Sequence, residues 1–259
     1  MFLTKLTTRI SQAALAGRVN QNVLYSFIRK NSSDSTVADL GLEKASKRGA
    51  RPFNQSAYNS PSPIYELRIY NIHPKDFKRT VMLFQKHIST RTRHSKLLGF
   101  WNGEIGGSIT QLIHLWEYES LSHRRSVRTG MMDDDTWTSV FLPALLPAMD
   151  SWGNTLLALA PNSSITRDFT NNSNAVYQLE ILKRDEESDL ERLKSDPKRA
   201  GETLVGRFFA IIGQSNMEYR LWRYSHIDDL LTGAWHRTLA DPTEGSSLLL
   251  YPLGFSPIQ

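Results

Sequence analysis

Chemistry in this sequence would have to come from His87, Arg91, His94 and His114, with Trp116 two positions beyond the last. His87 and His94 lie seven residues apart with Arg91 between them, in a segment of helical periodicity. Seven residues are close to two helical turns, so the three side chains share a face. His114 sits in an alternating segment on the same strand face as Leu112 and Trp116. A pocket holding these residues would bind an anion or haem. A two-histidine metal site usually wants tighter spacing plus a carboxylate, so no metal is expected. A plainer reading is preferred: Arg91 and His94 satisfy carbonyls at a helix C-terminus, and His114 hydrogen-bonds inside the sheet.

Other motifs reduce to structure. Gly103, Gly106 and Gly107 are not followed by the helix that a phosphate loop requires, so they read as a turn. Asp133, Asp134 and Asp135 lack the interleaved ligands of a calcium loop and read as a solvated bend. The six tryptophans read as core or interface anchors. No Gly-x-Ser-x-Gly or paired-carboxylate pattern stands out. The absence of cysteine excludes a disulfide framework, a thiolate nucleophile and Cys-ligated metals. No catalytic residue is assigned and no cofactor is expected.

The net charge of +5 is unevenly distributed. Residues 1–33 carry Lys5, Arg9, Arg18, Arg29 and Lys30 and no acidic residue, leaving 26 basic against 26 acidic residues elsewhere. The remainder is therefore neutral, and a nucleic-acid partner is rejected despite a pI near 9.4. Phe2, Leu3, Leu6, Ile10 and Ala13 recur at helical spacing in this basic, hydroxyl-rich segment. That composition predicts a mitochondrial presequence over 1–33. Residues 34–63, polar and with Pro52, Pro61 and Pro63, predict a disordered linker. No apolar run is long enough to span a bilayer.

The elements that must position the candidate residues begin at Ile64. Ile64–Tyr70 alternates as a half-buried strand. Pro74 opens a helix with a stripe of Phe77, Val81, Phe84 and Ile88. Residues 97–118 form two strands around Gly106-Gly107. Ser122 caps a second helix running to about Pro147, and 155–160 is a short strand. The order strand, helix, strand, strand, helix, strand is that of a ferredoxin-like unit over 64–161.

A weaker copy follows over 175–257. Val176–Ile181 aligns with Ile64–Ile69, and glycines seven apart recur at 99 and 106 and at 206 and 213. Leu190 and Leu193 mark a short helix, 227–239 another, and 248–251 the last strand. The fold class is thus α+β, with two tandem ferredoxin-like units whose antiparallel sheets bury their bare faces together.

The strings YELRIYNIHP, HSKLLGFWNGEIGG, HLWEY, HRRSVR and FLP, in that order from Tyr65 to about Pro147, resemble the NipSnap family. That resemblance implies two tandem dimeric α/β-barrel units, a presequence and a mitochondrial location, with release to the cytosol on mitochondrial damage. It also implies protein partners, such as autophagy receptors or other mitochondrial proteins, in mitophagy signalling or vesicular transport. A homo-oligomer is among the assemblies it allows. It supplies no catalytic residues. The chain departs from the pattern between Pro242 and Leu248, where a longer last helix is expected, so the second unit reads as shortened. The resulting expectation is a non-catalytic mitochondrial protein acting through protein contacts. The alternative is a barrel-type monooxygenase or a haem- or small-molecule-binding protein using the space between sheet and helices.

Overall fold

The computed structural model describes residues 63–169, 172–184, 201–240 and 244–258, without the side chains of 235–240. The expected presequence, nearly all of the expected linker, and the helix expected around Leu190 and Leu193 lie outside the described residues.

Eight strands close into one antiparallel barrel. β1 (Ile64–Ile72) leads through a 3-10 turn at Pro74–Asp76 into α1 (Phe77–Thr92). β2 (Lys96–Ile105) and β3 (Gln111–Tyr118) form a hairpin, and α2 (Leu121–Met131) follows. A π-helical turn at Trp137–Phe141, the short α3 (Leu142–Leu145) and a 3-10 turn at Leu146–Ala148 lead into β4 (Met149–Leu159). After a connector come β5 (Val176–Lys183), β6 (Glu202–Ile212), β7 (Met217–Tyr224), α4 (Ile227–Ala240) and β8 (Gly245–Pro252).

The strands stand in the order β4-β1-β3-β2, then β8-β5-β7-β6, and the two edges join as β2 with β8 and β4 with β6. Closure occurs within this chain and leaves the sheet no open edge. One apolar cluster draws on all eight strands, including Tyr65, Leu67, Trp101, Ile113, Leu157, Tyr177, Phe208 and Leu250, and fills the barrel interior. A second joins the outer face of β1–β3 to α1, α2 and α3 through Tyr70, Phe84, Phe100, Trp116, Val127 and Phe141.

Pairing in the two halves runs in step. β1 sets Glu66 against Trp116 and Arg68 against His114, while β5 sets Gln178 against Trp222 and Glu180 against Arg220. The glycine spacing has a physical cause. Gly99 and Gly206 both lie at register shifts, and a Cβ there would come 2.2 Å from the Trp101 ring or 2.8 Å from the Phe208 ring. Gly106 and Gly213 turn the hairpins at φ +92° and +142°.

Three expectations need correction. The cap of α2 is Ser120, whose Oγ accepts from the His123 N–H, and not Ser122. The segment to Pro147 is not one helix, because Asp134 accepts from the Trp137 N–H and restarts the chain, and Pro143 and Pro147 stand at the starts of new turns rather than at ends. β4 begins at Met149, six residues before the predicted strand, since its first half pairs with the end of β1.

Candidate functional site

Alternation along β1 sends Glu66, Arg68 and Tyr70 to the outer face, toward the helices. A half-exposed strand would leave them in water, but α1 and α2 cover them, and Glu66 is 1% exposed. A buried carboxylate needs donors on every lone pair. Arg124 of α2 supplies a fork, Nη2 to Oε1 at 2.6 Å and Nε to Oε2 at 3.1 Å. Arg68 Nη2 lies 3.1 Å from Oε1, Asn154 Nδ2 donates to Oε1 at 2.8 Å, and Tyr118 Oη donates to Oε2 at 3.1 Å. Burial alone would push the Glu66 carboxyl up, but Arg68, Arg124 and Arg91 outweigh it and hold it well below the usual carboxylate range.

Arg91 reaches in from the last turn of α1. Its Nη2 donates to Tyr118 Oη at 2.7 Å, and its guanidinium lies 3.9 Å over the Trp116 ring. Burial and then the charge of Arg68 lower its pKa. Arg128 adds positive charge to this layer; burial, then Arg68 and Arg124, bring it down to about 10, so it stays protonated at neutral pH.

His114 is enclosed at 1% exposure, stacked on Phe100 at 4.6 Å with the edge of Tyr70 4.7 Å away. Trp116 Nε1 donates to its Nδ1 at 2.5 Å. Burial, then Arg68 and Arg91, hold the imidazole well below its usual pKa, so it is neutral. With Nδ1 accepting, its proton resides on Nε2, which has no partner.

The structure brings Arg91, His114 and Trp116 together and leaves the other two candidates apart. His94 lies two residues past the end of α1, on the surface. The helix ends before the seven-residue spacing can aim it inward. His87 packs at 6.3 Å against Phe141. Arg91 turns to Tyr118 rather than to the helix carbonyls. Glu66, Arg68, Tyr118 and Arg124 were not among the predicted site residues, although YELRIY and HRRSVR contain three of them. The available signal was a glutamate and an arginine on one face of a strand whose flanking residues are apolar.

The chain's far end also reaches this layer. Leu253 N–H donates to Phe100 O at 3.0 Å, Phe100 N–H donates to Ser256 Oγ at 3.0 Å, and the Phe255 ring lies 5.1 Å from Phe100. Among the described residues, no cluster of His, Cys, Asp or Glu could hold a metal ion, and no helix is long and apolar enough to cross a membrane.

The segment that builds this network runs from β1 through β4, and it is the part of the chain that resembles a known family. Residues 65–164 match the NIPSNAP family model. Every residue of the Glu66 network falls inside the matched segment. Protein NipSnap homolog 3A of Homo sapiens is 26% identical over 215 residues, covering 75% of this chain and 85% of that protein. Protein NipSnap homolog 3B of Mus musculus is 25% identical over 227 residues, covering 80% and 91%. A solved structure from Fusobacterium nucleatum, named as a monooxygenase, covers 75% of this chain and 94% of its own at 12% identity and a TM-score of 0.56. At that identity the likeness is one of fold alone.

Proposed function

We propose that this chain is a NipSnap-like mitochondrial protein that works by binding other proteins and not by turning over a substrate. Its barrel is read as two tandem ferredoxin-like units, 64–161 and 175–257, the second shortened. Residues 1–33 are the import signal and 34–63 a linker. Autophagy receptors or other mitochondrial proteins are the partner class, in quality control or vesicular traffic.

The observation that carries the non-catalytic reading is the fixed protonation of the Glu66 network. A carboxylate held by three side chains besides a two-pronged arginine is too weak a base to take a proton at neutral pH. His114 has one nitrogen engaged by Trp116 and the other already protonated. Neither group is poised near neutrality, as general acid–base catalysis requires. Crosslinking inside intact mitochondria should capture discrete protein partners, and a truncation lacking 1–33 should stay in the cytosol. Normal import of that truncation removes the localisation; crosslinked material indistinguishable from a matrix-targeted control removes the partner reading.

A second reading, a barrel-type monooxygenase or a haem- or small-molecule-binding protein, is favoured by the aromatic enclosure of His114. Ligation through Nε2 would shift the proton and cost the Trp116 hydrogen bond. A stoichiometric Soret shift with haem, lost in His114→Ala, would establish it over the first.

A further inference from the structure

Three buried atoms of the layer between β1–β3 and α1 lack a hydrogen-bond partner: Arg68 Nε, Arg91 Nε and His114 Nε2. Their residues are 7%, 5% and 1% exposed. All three are N–H donors: the guanidinium nitrogens by their chemistry, and the imidazole nitrogen because Nδ1 accepts from Trp116. The layer is therefore short of acceptors, and a buried donor without an acceptor is costly. Its charge is unbalanced in the same sense. Arg68, Arg91 and Arg124 are disposed around the single carboxylate of Glu66, whose two oxygens are already occupied by Arg68, Arg124, Asn154 and Tyr118.

Among the described residues of the second half the charges are arranged differently. There, Arg207 and Arg220 both bond Glu218, and Trp222 donates to Glu180 at 2.9 Å. Among the described side chains on these strands' outer face, two arginines meet two carboxylates. In the first half, the outer face of β1–β3 presents Arg68, His114 and the saturated Glu66, and α1 and α2 add Arg91 and Arg124.

We propose that the layer between the outer face of β1–β3 and α1 binds a small oxyanion, a carboxylate or phosphate group, through the N–H donors of Arg68, Arg91 and His114. An oxyanion supplies both missing quantities, acceptor lone pairs and negative charge. Each arginine offers it an Nε–H, its Nη2 being engaged by Glu66 or Tyr118, and a guanidinium N–H to an oxyanion is a charge-assisted bond. Trp116 and Phe100 wall the layer with aromatic surface, where such bonds are stronger than in water. The site does not depend on the protein-contact reading, and either can fail without the other.

The test is calorimetric titration of the full chain with inorganic phosphate and, separately, with acetate, against chloride at equal ionic strength. Tryptophan emission followed in parallel reports on the Arg91–Trp116 stack. One of the two anions should saturate at one site per chain at millimolar concentration and quench or shift that emission; which one distinguishes the phosphate from the carboxylate source. Arg91→Met should weaken binding about tenfold or more, since it removes a charged donor. Arg91→Lys keeps the charge but loses the Nε–H and should weaken it several-fold, and it decides the matter if Arg91→Met does not fold. Absence of saturable binding by both anions, or unchanged affinity in Arg91→Lys, overturns the proposal.

Discussion

Glu66 in β1 and Gln178 in β5 hold the same place in their sheets, and the contrast between them organises the molecule. Each stands opposite a tryptophan, Trp116 or Trp222, and each bonds a tyrosine hydroxyl at the strand's far end. Tyr118 Oη donates to the Glu66 carboxylate, and Tyr224 Oη donates to Gln178 Oε1 at 2.8 Å. Even the third strand corresponds, with Asn154 donating to Glu66 and Gln178 donating to Ser247 Oγ at 2.7 Å. One backbone frame thus centres a carboxylate in its first half and an amide in its second. Next along the strands the signs reverse: Arg68 faces His114, whereas Glu180 faces Arg220. The frame fixes where polar side chains meet, while the residue types decide whether the meeting place is charge-balanced.

The widest gap between the halves should appear on removing the central acceptor. Glu66→Leu leaves Arg68 and Arg124 buried against no carboxylate and should cost about 3–5 kcal/mol. Gln178→Leu removes an amide and not a charge, and should cost about 1–3 kcal/mol. Urea unfolding midpoints of the two variants measure this. Equal losses would mean that the arginines around Glu66 find solvent, and the charged network would then be peripheral.

Truncating the tyrosines sharpens the same contrast on a smaller scale. Tyr118 links the Arg91 guanidinium to the Glu66 carboxylate, so Tyr118→Phe removes two charge-assisted bonds and should cost about 1.5–3 kcal/mol. Tyr224→Phe removes a bond to an amide and should cost about 0.5–1.5 kcal/mol. Thermal unfolding of the pair should rank Tyr118→Phe lower, and the reverse ranking would place the tighter network in the second half.

Much of the frame was readable in the chain because its signals are local. Alternation in Ile64–Tyr70 and Val176–Ile181, and the glycines at 99, 106, 206 and 213, depend on strand pleat, bulge and turn alone. The site was less readable because burial of β1's outer face comes from α1 and α2, far along the chain. Glu66 and Arg68 look like the solvated side of a half-buried strand until Val127 and Phe84 are known to close over them. His94 misled for the opposite reason: its spacing from His87 was correct, but α1 stops at Thr92. The break after α2 was hidden as well, since it rests on Asp134 accepting from Trp137 N–H and Arg93, the latter a contact across the fold.

Acid separates the halves by titration. His114 is held neutral by burial and by Arg68 and Arg91, so its native pKa lies below the unfolded value of about 6.5. As pH falls below about 6.5, the unfolded chain takes up a proton that the native chain refuses, and stability drops by at most about 1.4 kcal/mol per pH unit. Above that pH the residue contributes no slope. Glu66 acts in the same direction, but its window opens only below the unfolded carboxylate value of 4.5. The second half has Arg220 at the place of His114, and so no histidine there. His114→Gln, which keeps an acceptor for Trp116, should therefore flatten the dependence of urea midpoint on pH between about 5 and 6.5. A slope unchanged in that variant would assign the acid sensitivity to another histidine.

The smallest expected effect lies where the halves agree. Ile105 ends β2 and Ile212 ends β6, each next to the turn glycine of its hairpin, and they are 65% and 61% exposed. Little apolar area is buried there, so Ile105→Thr and Ile212→Thr should each change stability by less than about 0.5 kcal/mol. A β-branched replacement keeps the strand preference, so a neutral result reports on burial and not on propensity. Their backbones pair with Leu249 and Leu156 at the two seams, but their side chains stay exposed, which makes them available to a partner if the chain works through protein contacts. In that case the same substitutions, silent in urea, should lower crosslinking yield in mitochondria. Reduced stability instead would show that the tips are covered, and a full crosslinking yield in the double variant would move the contact surface elsewhere.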